Sequence, residues 1–204
     1  MELPWGSLFG LLFMTMGPIR AIAIFSSVGT DDRAPGVRKL ATSSSALTAT
    51  TFILAVFGGT SALAGWGVTL PVLIGSSGIV LLTLSLQSLL MPAGPAMPAK
   101  DPLKTRATTI VFPGLFPPIA VSIPIIFAAA FPDLRTHLLI ITLGLAIILL
   151  NWMLMLRAKA IIRRIGTVPL EILGAVFGVL QVALALQFIV NAVAMLVSSD
   201  FTFA

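Results

Sequence analysis

The chain has no cysteine and a single histidine. The first absence removes disulfide frameworks, thiolate metal sites and thiol redox catalysis together. The second leaves His137 without the imidazole or thiolate partners that a metal site requires, so no metal is expected. Charge is equally scarce. Only 9% of the 204 residues are Asp, Glu, Lys or Arg, against roughly a quarter in soluble domains. Hydrophobic residues make up 58% and the mean hydropathy is +1.11, which fits neither a soluble globular protein nor a disordered chain. There is no phosphate-binding Gly-rich loop with Lys, no nucleophile beside a base and no acid pair in a polar segment. We read the chain as neither an enzyme nor a cofactor carrier.

What is present is a series of long apolar blocks, at 5–28, 40–65, 70–91, 108–131, 138–157 and 169–197. A helix needs about 20 such residues to cross hydrocarbon. The sequence therefore predicts an all-α integral membrane protein of six spans, a single transmembrane domain over 1–204. Gly65 to Thr69 separates the second block from the third, and Pro71 falls in the first turn of the third, where a missing N–H costs nothing. The first block follows Glu2 rather than a basic stretch, so it is expected to stay as a span and not to be cleaved as a secretory signal. Trp5, Trp66 and Trp152 fall near block ends, at the level where indoles settle among headgroups.

The formal charge of +5 is distributed by side. Arg33, Arg38 and Lys39 follow the first block, Lys100, Lys104 and Arg106 the third, and Arg157, Lys159, Arg163 and Arg164 the fifth. Among loops of the other parity Arg135 stands alone. The positive-inside rule then puts both termini outside the cytoplasm. A nucleic-acid surface would need a basic stripe interleaved with aromatics, which is missing. The expected partners are membrane lipids, whose anionic headgroups meet cytoplasmic Lys and Arg, and a small-molecule substrate.

Two blocks carry matching helix breakers. The first contains Gly17-Pro18-Ile19 and the fourth Pro117-Pro118-Ile119, each about midway along the first span of a three-span unit. An odd number of spans inverts the second unit relative to the first, giving repeats over 5–91 and 108–197 joined by a linker, 92–107, that holds Pro92, Pro95, Pro98 and Pro102. Paired Gly/Pro-interrupted spans point to a transporter site between inverted halves. A mid-helix proline removes an N–H and clashes with the preceding turn. The half-helix ends it creates offer N–H groups to a carboxylate and carbonyls to an ammonium or a sodium ion. A kink that serves only packing is the competing reading.

Arg20 is the basic residue well inside a block, where a charge costs about 2.5 to 3.5 kcal/mol at the centre of the membrane. It either adds a bidentate donor for a substrate carboxylate, pairs with Glu171, or snorkels about 7 Å to the interface at 1.5 Å per residue. Glu171 opens the sixth block, where an acid also suits a helix N-terminus. The amides Gln87, Asn151, Gln181, Gln187 and Asn191 read first as interhelical hydrogen bonds. Gly75-Ser76-Ser77-Gly78 and Gly174-xxx-Gly178 read as small-residue faces for close helix approach, which also permit a homo-oligomer. The candidate substrate-binding residues are Thr15, Gly17, Pro18, Arg20, Ser77, Phe116, Pro117, Pro118 and Ser122, with Arg20 and Glu171 as an ion pair or coupling pair.

From about Leu11 to Val193 the chain resembles the MarC family of six-span bacterial membrane proteins, also described as neutral amino acid transporters. The likeness rests on Pro18 with Ala23-Ile24-Phe25, on Trp66-Gly67-Val68-Thr69-Leu70-Pro71, on Phe112-Pro113 and Pro117, and on Ile161-Ile162-Arg163-Arg164-Ile165-Gly166, Glu171 and Gln187-Phe188-Ile189-Val190-Asn191. Two departures fall in the broken spans: Gly17-Pro18 stands where the family usually has Asn-Pro, and Val121-Ser122-Ile123 where it has Gly-Pro-Gly. The Arg20 position is usually uncharged in the family. The resemblance implies a secondary transporter of small solutes, amino acids above all, in the bacterial inner membrane. The alternatives are a non-transporting scaffold or lipid-binding protein, and a small-solute channel.

Overall fold

The computed structural model describes residues 5–26, 35–90 and 118–198, and the regular structure among them is helical. The helices are α1 (Trp5–Thr15), α2 (Pro18–Ser26), α3 (Pro35–Gly65), α4 (Leu70–Leu90), α5 (Pro118–Ala130), α6 (Leu134–Met155), α7 (Ala158–Ile165) and α8 (Val168–Ser198). Four segments among the described residues are long and apolar enough to cross a membrane: Gly36–Gly65, Leu70–Leu90, Leu134–Met155 and Val168–Ser198. The first apolar block is divided into α1 and α2, of 11 and 9 residues. The linker and the fourth block up to Pro117 lie outside the described residues.

Proline marks most of the helix starts. It is the first residue of α2, α3 and α5 and the second of α4 and α8, positions at which its fixed φ suits the helix and no N–H is missed. Two expected boundaries shift accordingly. The second span begins at Pro35, so Arg38 and Lys39 lie in the first turns of α3 rather than in a loop. The basic segment after the fifth span is not a loop either, because Ala158–Ile165 folds as α7 with Arg163 and Arg164 in its last turn. Ile161 and Ile162 turn inward there while both arginines stay exposed.

α4 and α8 run antiparallel along most of their lengths. Gly75 lies against Ala192, Gly78 against the Ala185 carbonyl and Ile189, and Gly178 against Leu89. α3 and α6 form a second antiparallel pair, in which the Phe52 ring covers Gly144 and Trp152 Nε1 donates to Thr42 Oγ1 at 3.3 Å. α5 packs on both α3 and α4, and Ile125 seats on Gly59. The remaining face of α8 shows Val179, Val190 and Val193 to the outside. Such exposure would drive aggregation in water and is what hydrocarbon accepts.

The core has two parts. Leu8, Leu12, Met16, Phe52, Ile123 and Ile147 belong to one buried cluster, and Ala21, Phe25, Val37, Ala41, Met155 and Ala158 to the other. α1 thus packs into the first cluster and α2 into the second. Two turns use glycine at positive φ, Gly67 at 66° before α4 and Gly166 at 83° before α8, a region other residues reach only with strain. His137 is half-buried in the first turn of α6. Its Nε2 is 3.3 Å from the Ala128 carbonyl and its ring meets Phe57 edge-on.

Asp133 caps α6, accepting from the Thr136 hydroxyl at 2.7 Å and from the Thr136 N–H at 2.8 Å. The hydroxyl first and the N–H second hold its carboxyl below the ordinary range. A depressed folded-state value means that the cap is fully effective above the ordinary carboxylate pKa and is lost as pH falls through the lower one. The melting temperature of the native chain should therefore exceed that of Asp133→Ala at neutral pH, with the difference shrinking below about pH 4. On the long helices, Gly78→Leu should cost at least about 1–3 kcal/mol by overpacking. Gly174→Ala, whose added methyl meets nothing within 4 Å, should leave thermal unfolding in detergent unchanged.

Candidate functional site

The first apolar block would make one crossing helix but for Pro18. In a continuous helix the carbonyl of Met14 accepts from residue 18, and proline has no N–H to give. α1 accordingly ends at Thr15, the Met16 N–H still reaches the Leu12 carbonyl at 2.9 Å, and α2 starts afresh at Pro18. Gly17 does not have positive φ, and a methyl there would meet only the Met14 and Phe13 carbonyls, at 3.4 and 3.5 Å. The interruption is therefore the work of the proline.

Two amides from distant helices meet the freed carbonyls. Gln181 Nε2 on α8 donates to the Met14 carbonyl at 2.7 Å, and Asn151 Nδ2 on α6 donates to the Met16 carbonyl at 2.7 Å. Both side chains are buried, at 4% and 3% exposure. Ser85 Oγ on α4 contacts Gln181 Oε1 at 3.5 Å. The Thr15 hydroxyl is turned back on its own helix, bonding the Leu11 carbonyl at 2.7 Å. The carboxyl-terminal end of α1 carries partial negative charge and the amino-terminal end of α2 partial positive charge, so the break places both signs of dipole inside the bundle.

Beside Asn151 is a cavity of about 10 Å³, lined by Met16, Ser45, Thr48, Ile148, Asn151 and Met155. The Oδ1 of Asn151 and the hydroxyls of Ser44, Ser45 and Ser77 are buried without a hydrogen-bond partner. A buried polar group in that state costs about 1–3 kcal/mol unless something fills the gap. Each of the four long helices α3, α4, α6 and α8 carries a buried polar side chain, and those of α6 and α8 converge on the break.

Of the residues expected at the site, Thr15, Gly17 and Pro18 form the break itself. Arg20 lies in the first turn of α2, and its side chain is outside the described residues. Ser77 is buried on α4 and Ser122 half-buried on α5, a helix that packs against α1. Pro118 is the first residue of α5, as Pro18 is of α2. Phe116 and Pro117 lie outside the described residues. The proline within the described part of that helix is Pro124, which deprives the Ala120 carbonyl of its donor. Glu171 is exposed in the first turn of α8.

Sequence reasoning named Asn151 and Gln181 as interhelical amides, which they are, but not as caps of the break. It passed over Ser44, Ser45, Thr48 and Ser85. The first three had a readable signal, since hydroxyls at i, i+1 and i+4 within an apolar helix share one face. Gln187 and Asn191 instead bond to one another along α8, at 2.8 Å.

No curated protein and no solved structure gives a match to the chain. A family model does, described as MarC family integral membrane protein, and the match covers residues 5–197.

If Gln181 is the donor that Pro18 withholds, the two residues are coupled. Gln181→Leu should destabilise the protein by about 1–3 kcal/mol, the cost of an orphaned buried carbonyl. Pro18→Ala, which restores a backbone N–H four residues after Met14, should recover a large part of that loss in the double variant. Thermal unfolding of the four proteins of the cycle measures the coupling. Additive losses would show that the contact is incidental.

Proposed function

The chain belongs to the MarC family of integral membrane proteins, and on that premise we propose that it is a secondary transporter of small solutes, amino acids being the class, working by alternating access in the bacterial inner membrane. The observation that carries the reading is the interrupted helix at Met16-Gly17, whose carbonyls are held by side chains of other helices rather than by its own backbone. Side-chain caps can be exchanged for a ligand. Backbone bonds within a helix cannot be exchanged without unwinding it.

In this reading α1 with α2 makes the first crossing and α5, with residues before it, the fourth, giving six. Several features support two inverted halves. A displacement of about one hundred residues brings Pro18 onto Pro118, Gly78 onto Gly178 and Gln87 onto Gln187, and brings the positive-φ turn at Gly67 close to that at Gly166. Most of the helix contacts also survive exchange of the halves. The first crossing touches the fourth, the second the fifth and the third the sixth, while second-to-fourth is mirrored by fifth-to-first and third-to-fourth by sixth-to-first. Alternating access follows when one half rocks against the other. The N–H groups at the start of α2, with Arg20, receive the substrate carboxylate. The carbonyls at the end of α1 receive its ammonium once Asn151 and Gln181 withdraw. Thr15, Ser77, Phe116, Pro117, Pro118 and Ser122 form the facing walls, and Glu171 is the coupling carboxylate. Both termini lie on the outer side, and the partners are lipid and substrate; the small-residue faces at Gly75, Gly78 and Gly178 are taken up by the packing of α4 on α8.

One observation favours the scaffold reading. Both capped carbonyls are already satisfied within the chain, and the cavity beside them is only about 10 Å³. Reconstitution separates the two. Proteoliposomes given radiolabelled glycine, alanine or glutamate under imposed proton and sodium gradients should show saturable uptake. Arg20→Leu should raise the half-saturating concentration about tenfold, or about 1.4 kcal/mol. Folded protein whose liposomes stay impermeable to all three would leave the scaffold.

A further inference from the structure

We propose that the outward face of α8 binds a second copy of this chain, paired across a two-fold axis along the membrane normal through Gln187 and Asn191. The proposal is independent of the transport reading. α4, of 21 residues, is about 30 Å long, the thickness of the hydrocarbon, so its ends mark the two boundaries. Gly75 lies against Ala192 on α8, and Gly78 against the Ala185 carbonyl and Ile189. Asn191 is therefore about 8 Å, and Gln187 about 12 Å, inside the boundary at which α4 begins. Both side chains are exposed. Gln187 follows the buried Gly178 by nine residues, two and a half turns, so it projects from the side of α8 opposite α4, away from the bundle.

The pair is only partly satisfied. Gln187 Nε2 donates to Asn191 Oδ1 at 2.8 Å, and among the described residues no other hydrogen bond reaches either side chain. The Gln187 oxygen, its second N–H and both N–H groups of Asn191 are left facing hydrocarbon. Hydroxyls on the other lipid-facing surfaces are not in this state, because Thr50, Thr83 and Thr142 each bond a carbonyl of their own helix, at 2.9, 2.9 and 2.8 Å. Gln87, also exposed, lies within a turn of the end of α4, close enough for its amide to reach water. Lipid tails have nothing to offer the amides of α8. A carboxamide carries donor and acceptor together, so Gln187 is complementary to its own image across a two-fold axis, the isologous contact of a dimer. The neighbouring residues fit that contact. Val176, Leu180, Ala183, Gln187, Val190 and Ala194, all exposed, recur at alternating steps of four and three, the seam of a left-handed helix pair. The seam runs about 27 Å, most of the hydrocarbon thickness, and the alanines on either side of Gln187 let two backbones approach.

The chain has no cysteine, so single introduced cysteines report the contact directly. In native membranes, before extraction, Ala183→Cys and Ala194→Cys should oxidise to disulfide-linked dimers, whereas Leu145→Cys, exposed on α6, should not. In liposomes holding the purified full-length protein, energy transfer between copies labelled at the amino terminus should report a monomer–dimer equilibrium that shifts on dilution with lipid. Gln187→Leu should raise its dissociation constant at least tenfold, and Asn191→Leu should act in the same direction. Neither amide holds its own monomer together, so both variants should keep the native melting temperature in dilute detergent, which separates loss of the dimer from loss of the fold. The cysteine pairs decide the matter even where an amide variant fails to fold. A monomer at every protein-to-lipid ratio overturns the proposal and leaves α8 to lipid or to a different membrane protein. A dimer indifferent to both amide variants overturns it too, as does Leu145→Cys cross-linking as readily as Ala183→Cys.

Discussion

A backbone carbonyl inside hydrocarbon must find a hydrogen-bond donor within the protein, and the bundle is organised around a place where the backbone cannot supply one. Pro18 withholds the N–H that Met14 would use, and the interruption at Met16-Gly17 frees a second carbonyl. Gln181 and Asn151 are buried on two different long helices to meet them. An amide is costly to bury without a partner, so each contact justifies both of its ends. The break draws α6 and α8 inward, and they in turn make the break tolerable.

The same interruption divides the packing. α1 is built into the cluster around Leu12, Phe52 and Ile123, and α2 into the one around Phe25, Val37 and Met155. Met16 closes the first cluster and lines the cavity, while Met155 belongs to the second and lines it too. The cavity therefore sits on the seam between two packed bodies. Close-packed interiors switch between discrete arrangements rather than deforming continuously, and a seam crossed by a side-chain amide, Asn151 on the Met16 carbonyl, is where such a switch needs few bonds remade.

Much of this could be read in the residues. The apolar blocks locate the crossing helices because bilayer thickness fixes their length, and Gly17-Pro18 breaks its helix because proline chemistry is local. α7 was missed because a short amphipathic helix has too few apolar residues to stand out beside long blocks, and its inward face is set by α2. Pro124 was overlooked in favour of the more conspicuous Pro117-Pro118 pair. The roles of Asn151 and Gln181 were not legible at all. That an amide is interhelical follows from its burial in lipid, but which carbonyl it reaches depends on tertiary register, as does the choice of Ser45 and Thr48 for the cavity wall.

The distance along the chain between the two ends of each cap has a consequence for biogenesis. Met14 and Gln181 are 167 residues apart, and Met16 and Asn151 are 135 apart. Synthesis runs from the amino terminus, so α1 leaves the ribosome long before either amide exists. Its open carbonyls must meanwhile be kept near water or shielded by the insertion machinery. A segment translated well before its partners thus settles only after them, and a chain truncated before α8 would leave the Met14 carbonyl without its cap.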